Sequence, residues 1–227
     1  MVRKYLDQIL FIVYMVWEAI NLGWIIHAQN HYPVEIYCQI MYLAICVNTV
    51  MTFYLYISGG RKKKGLHNLL ALGLFITGAA DYFLTLHQSV LPGYILFCLA
   101  EAVYACYFRP SPAGIFIRFL LYVLTIAIIH SAGLLNIINA FGLLNMNLIT
   151  VNMLCAWIDH RSQKPTSSLL LAAGFTLFAG CDYSLLVRAL SAGTAGMAAD
   201  RLTWVFYIPS QAALVAAYAV LTRSESS

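Results

Sequence analysis

Residues 68–87 read NLLALGLFITGAADYFLTLH. The stretch is apolar almost throughout, and Asp81 is the one acid in it. A helix needs roughly 20 such residues to cross the hydrocarbon core of a bilayer. Seven further runs of the same kind lie outward from it, at about 6–28, 34–57, 91–109, 113–131, 135–158, 167–189 and 201–221. They are continuous rather than alternating, which predicts helices and not a β-barrel. Eight spans occupy nearly all of the 227 residues, so we expect one integral membrane domain over 1–227 with no room for a separate soluble one. Composition agrees, with 62% hydrophobic and 10% charged residues and a mean hydropathy of +0.78. A soluble domain is about half apolar and a quarter charged. The expected fold is therefore an all-α polytopic bundle of about eight transmembrane helices.

The basic residues set an orientation. Connections near Gln29–Pro33, His87–Pro92 and Ser131–Leu134 carry no Lys or Arg, whereas the others carry Arg61-Lys62-Lys63-Lys64, Arg109, and Arg161 with Lys164. Together with Arg3, Lys4 and Arg223 these fall on one side, which the positive-inside rule makes cytoplasmic. Both termini are expected there, in a plasma-membrane protein. Only Arg188 and Arg201 lie opposite. Arg118, a turn into the fifth span, is expected to snorkel to the cytoplasmic headgroups or to hold a lipid phosphate. The net charge of +4 thus reflects helix ends and not a nucleic-acid surface. The first apolar run is too long for a cleaved signal and lacks a small-residue cleavage site. All six cysteines lie within spans with no C-x-x-C pair, as buried apolar residues do. Pro110-Ser111-Pro112 breaks the chain between the fourth and fifth spans.

Sliding the sequence by 101 positions aligns its halves without gaps. Leu69-Leu70-Ala71 meets Leu170-Leu171-Ala172, Gly73 meets Gly174, and Asp81-Tyr82 meets Asp182-Tyr183. Thr49-Val50 meets Thr150-Val151, and Lys63 meets Lys164. An offset of four spans preserves orientation, so the expectation is a parallel tandem repeat of four helices, with halves near 1–110 and 111–227.

Asp81 and Asp182 stand about 14 residues into the third and seventh spans, roughly 20 Å from the cytoplasmic face. A charge at such depth costs about 2.5–3.5 kcal/mol even on the lenient insertion scale, so these groups face an interior or a wet cavity. Glu101 and Glu18 also sit near mid-membrane, and Tyr207 and Gln211 share a face one turn apart. The plainer alternative is interhelical hydrogen bonding, helped by Gly78, Ala79, Ala80, Ala179 and Gly180. Two carboxyl groups sharing a low-dielectric cavity offer more: one can donate a proton while the other stays ionised. No lysine lies within a span, which removes a retinal Schiff base. The six histidines sit at span ends, and there is no H-E-x-x-H, G-x-S-x-G or Walker element. No metal site is expected.

At these residues the sequence resembles the lysoplasmalogenase family of YhhN-like membrane proteins. That family carries a Gly/Ser-Asp-x-x-Leu element in two spans, matched here by Ala80-Asp81-Tyr82-Phe83-Leu84 and Cys181-Asp182-Tyr183-Ser184-Leu185. Its final span carries Tyr-x-x-x-Gln, matched by Tyr207 and Gln211, and Met153-Leu154-Cys155-Ala156-Trp157 is similar to its sixth span. Ala80 and Cys181 replace the small Gly or Ser, Glu101 followed by Tyr104 stands where a His followed by Tyr belongs, and the Lys-Pro pair of the second span is absent. The resemblance implies acid-catalysed hydrolysis of the vinyl-ether bond of a lysophospholipid, with no metal or cofactor. Asp81 and Asp182 would be proton donor and stabilising carboxylate, and Tyr207, Gln211, Glu101 and Tyr104 would line the substrate cavity. Two other readings remain open. One is a proton-coupled transporter of a small molecule or lipid, with Pro209 a candidate helix break. The other is a non-catalytic lipid-binding or scaffold protein.

Overall fold

Hydrophobic runs of this length can satisfy their backbone polar groups in a bilayer only by coiling, and the computed structural model shows them coiled. It describes residues 2–32, 34–58, 65–163, 165–190 and 194–224. Eight α-helices follow in order: α1 (Val2–His31), α2 (Val34–Ser58), α3 (His67–Asp81), α4 (Val90–Tyr107), α5 (Pro112–Ser131), α6 (Ile137–Gln163), α7 (Thr166–Leu190) and α8 (Thr194–Ser224). A π-helical segment, Tyr82–Leu86, continues α3. Each span is long and apolar enough to cross a membrane, and no strand occurs among the described residues. The protein is an integral multi-pass membrane protein of all-α class. The Arg61–Lys64 run, Lys164 and Pro33 lie outside the described residues.

The surface confirms the solvent. Ile158, Val50 and Ile128 are 70%, 67% and 66% exposed, among many other large apolar side chains turned outward. In water such a surface would drive association; in a bilayer it meets lipid tails. The expected span limits shift at the ends. α6 runs to Gln163 and α8 starts at Thr194, because polar residues there extend the helices beyond the hydrocarbon. Near the start of α8, Arg188 of α7 pairs with Asp200 of α8 at 2.6 Å.

α8 is the spine, packing on α7, α1, α2 and α3 and burying Leu214–Ala219 without interruption. Small residues bring the helices together, as expected where packing rather than water drives association. A Cβ on Gly174 of α7 would lie 2.8 Å from Leu214 Cδ2 of α8. One on Gly73 of α3 would lie 2.1 Å from Tyr104 Cε1 of α4. α5 is the opposite extreme. It packs on α6 alone and buries none of its residues. Its start is well defined, with Pro112 in the first turn and the Gly114 amide donating to Ser111 Oγ at 3.1 Å.

Pro209 does not break α8, which runs through it. The irregularity lies in α3 instead. Directly after Asp81 the helix widens, with the His87 amide donating to Tyr82 O at 3.2 Å and Thr85 Oγ1 donating to Asp81 O at 2.6 Å. Such π segments gather at functional sites.

Candidate functional site

Six side chains singled out from the sequence are carried by four helices. α3 supplies Asp81, α4 Glu101 and Tyr104, α7 Asp182, and α8 Tyr207 and Gln211. All six are buried, at most 8% exposed. Buried polar groups need partners, and the three carboxyls among them find theirs in three separate clusters.

At Asp81 the Tyr207 hydroxyl donates to Oδ2. Tyr207 is held in turn by the Phe178 and Trp204 rings, whose centroids lie 5.6 and 5.7 Å away. At Asp182 the Asn145 amide of α6 donates to Oδ2 at 2.7 Å. At Glu101 the Asn152 amide of α6 donates to Oε2 at 2.7 Å and to the backbone carbonyl at 2.9 Å. Arg118 of α5 completes this third cluster, donating to Asn152 Oδ1 at 3.1 Å and to Cys155 Sγ at 3.4 Å. The expectation that Arg118 snorkels to the headgroups is therefore corrected. Its guanidinium turns inward because Asn152 presents an acceptor to it while donating to Glu101. Tyr104, one turn from Glu101, meets Thr77 of α3 at 3.3 Å between hydroxyls.

The clusters share one region. The carboxyls of Asp81 and Glu101 are each within electrostatic range of Asp182. Three atoms in the region are buried without a hydrogen-bond partner: Glu101 Oε1, Asn145 Oδ1 and Gln211 Nε2. Glu18 lies elsewhere on α1, buried next to a Tyr14–Asn48 hydrogen bond that joins α1 to α2.

A space of about 320 Å³ lies between α4, α5, α6 and α7, lined by Asp182 and Asn145 together with Tyr94, Ile129, Gly142 and Met146, among others. It extends to the exposed Leu134, Ile138 and Asn139 at the α5–α6 turn. Asp182 alone of the six residues borders it; Asp81, Glu101, Tyr104, Tyr207 and Gln211 lie outside its lining. A second space of about 730 Å³ sits at the opposite end of the bundle, bordered by Arg109, Cys155 and Ser168.

Asn145 and Asn152 were passed over in the sequence, although a signal existed. They stand seven residues apart in one span and so share a face, but amides are also the usual interhelical glue, so the pattern by itself does not single them out. Tyr94 and Gly142 carry no motif and could be found only in three dimensions.

The chemistry on offer is that of a carboxyl reachable from an apolar chamber, backed by two more carboxyls and their amide and phenol donors. The YhhN family model matches residues 39–218, a stretch that includes all six site residues and omits α1 entirely. The chain belongs to the YhhN family, which includes lysoplasmalogenases. No curated protein and no solved structure matches it.

Proposed function

We propose that this member of the YhhN family hydrolyses the vinyl-ether bond of lysoplasmalogens within the membrane, with Asp182 as the proton donor. The observation that carries the reading is that Asp182 borders a chamber whose other walls are mostly apolar. The chamber suits a hydrocarbon chain with a single weakly polar link. The Asp182 carboxylic acid gives its proton to the carbon β to the ether oxygen of R–CH=CH–O–R′. The π bond is consumed and an oxocarbenium ion forms at the oxygen-bearing carbon. The carboxylate left behind stabilises that cation and takes a proton from the water that adds to it. The hemiacetal then expels the glycerol oxygen, releasing a fatty aldehyde and the glycerophospho-headgroup. Asn145, bonded to Oδ2, fixes the carboxyl plane and leaves Oδ1 to carry the proton. Asp81, tied to Tyr207, serves as the second, stabilising carboxylate.

The lysophospholipid substrate, the plasma-membrane location and the cytoplasmic termini are part of the same proposal. With that orientation the chamber faces the outer leaflet. So is the division into two parallel four-helix halves within one domain, which the close seating of α4 on Gly73 and of α8 on Gly174 supports.

Purified protein given a lysoplasmalogen is expected to release aldehyde, and Asp182→Asn is expected to slow it by about 10²–10⁴-fold, the usual worth of a general acid. If Asp182→Asn and Asp81→Asn both keep the full rate, the proposal is wrong. One observation favours a second reading, a proton-coupled transporter: cavities lie at both ends of the bundle with buried acids between them. Substrate uptake into proteoliposomes driven by a proton gradient, with no aldehyde formed, would select it.

A further inference from the structure

We infer that Asn145 is a catalytic residue whose amide oxygen holds the water that adds to the oxocarbenium ion, an assignment that rests on the reading of the Asp182 chamber proposed above. Asn145 is 3% exposed and stands in the chamber wall together with Asp182. One end of its amide is committed, since Nδ2 donates to Asp182 Oδ2 at 2.7 Å. That bond orients the whole planar group and so settles which atom is at the other end. Oδ1 is buried with no hydrogen-bond partner among the described residues. Asn152, seven residues on and on the same face of α6, makes the contrast. Its Nδ2 donates to Glu101 and its Oδ1 accepts from Arg118, so both ends tie helices together. An amide serving only as glue has no reason to leave a buried acceptor unused, because that is costly. The oxygen of Asn145 calls for a donor that enters the chamber.

The reaction supplies that donor. Water adds to R–CH₂–CH=O⁺–R′ through an oxygen lone pair, so the lone pair must face the cation and both O–H bonds must face acceptors. Asp182 Oδ1, which has just given its proton to the vinyl carbon, accepts one O–H. Asn145 Oδ1 accepts the other. The oxygen and nitrogen of a planar amide lie about 2.2 Å apart, so Oδ1 is within one water's reach of the carboxyl that Nδ2 bonds. As the new C–O bond forms, its electron pair comes from the water and the C=O⁺ π pair returns to the ether oxygen. The proton facing Asp182 passes to the carboxylate, the one facing Asn145 stays on the oxygen, and a neutral hemiacetal results. In bulk solvent such a cation is captured from any side. Between mostly apolar walls, capture depends on a water already in position, and it competes with return of the proton to Asp182.

That competition gives the test. Purified protein hydrolyses a lysoplasmalogen in D₂O, and the unreacted substrate is recovered part-way and weighed for deuterium at the vinyl carbon. In the wild type water captures each cation, and recovered substrate carries no label. Asn145→Ala is expected to slow aldehyde release about tenfold to a hundredfold, the worth of one hydrogen bond to a reacting group. It should also let cations revert, leaving deuterium in the vinyl ether each time a hydrogen is given back in its place. Asn145→Ser, whose hydroxyl can accept, should fall between the two in rate and in label. Asp182→Asn should give neither aldehyde nor label. Melting in detergent is followed for each variant, and if Asn145→Ala melts early the label from Asn145→Ser decides. Slowed release with unlabelled substrate would mean that Asn145 merely orients Asp182, and would overturn the water site while keeping the proton donor. So would an Asn145→Ala variant that works at the full rate. Wild-type protein that releases no aldehyde, with no label from any variant, would sink the proton donor and the water site together.

Discussion

Asp81 and Asp182 occupy matching places in α3 and α7, and their surroundings differ because of one helix. Near Asp81, α8 brings Tyr207 onto the carboxylate, and α1 packs against α8. In the proposed repeat α5 takes the place of α1, yet among the described residues it packs on α6 and on no other helix. The space it leaves beside α4 and α7 is the chamber at Asp182. Two residues of the same kind thus differ in that Asp182 borders this chamber and Asp81 does not. The lesson is that whether a buried acid borders a cavity is set here by the seating of a neighbouring helix and not by the acid's own segment.

The sharpest way to break this contrast is to remove each acid's function separately. Asp182→Asn is expected to lose about 10²–10⁴-fold in aldehyde release, while Tyr207→Phe, which unties Asp81 only, loses about tenfold. Equal losses would erase the distinction between the two acids. Next comes the seating of the helices. Gly73→Ala forces a methyl group against Tyr104, which is fully buried and cannot swing aside, and should destabilise the protein by about 1–3 kcal/mol in detergent melts. Gly174→Ala, with a 2.8 Å approach to Leu214 in place of 2.1 Å, should be milder. Gly142→Ala should melt as wild type, since its Cβ would rest 3.7 Å from the Tyr94 ring. Asn145→Ala leaves the Asp182 carboxyl without its amide donor. A change of about 1–3 kcal/mol per lost partner should appear in kcat with little change in melting. The smallest effect belongs to Arg118→Gln. It loosens the link from α5 to Asn152, and interhelical hydrogen bonds of this kind average about 0.6 kcal/mol.

The spans were legible in the sequence because hydrophobic length is a local property. Asp81, Asp182, Glu101, Tyr104, Tyr207 and Gln211 were legible because burying such groups in hydrocarbon is expensive and residues of that kind stand out. Which of them borders the chamber was not. That depends on α5 standing away from α4, and residues 113–131 are as apolar as any other span. The π segment was hidden for a similar reason, as Tyr82-Phe83-Leu84-Thr85-Leu86 holds no Gly or Pro to announce it. Arg118 was misread because its partner, Asn152, lies on the next helix, and a snorkelling rule considers only the distance to the headgroups.

The loose seating of α5 has a mechanical consequence. Its twenty residues make a rod of about 30 Å, close to the thickness of an average hydrocarbon core. A rod braced along one side takes its lean from the lipid around it, tilting more as the bilayer thins. Ile129, near its end, is part of the chamber wall. Reconstitution into short-chain and long-chain phosphatidylcholine should therefore change how far that wall stands from Asp182, and the surrounding membrane becomes a spring acting on the chamber it encloses.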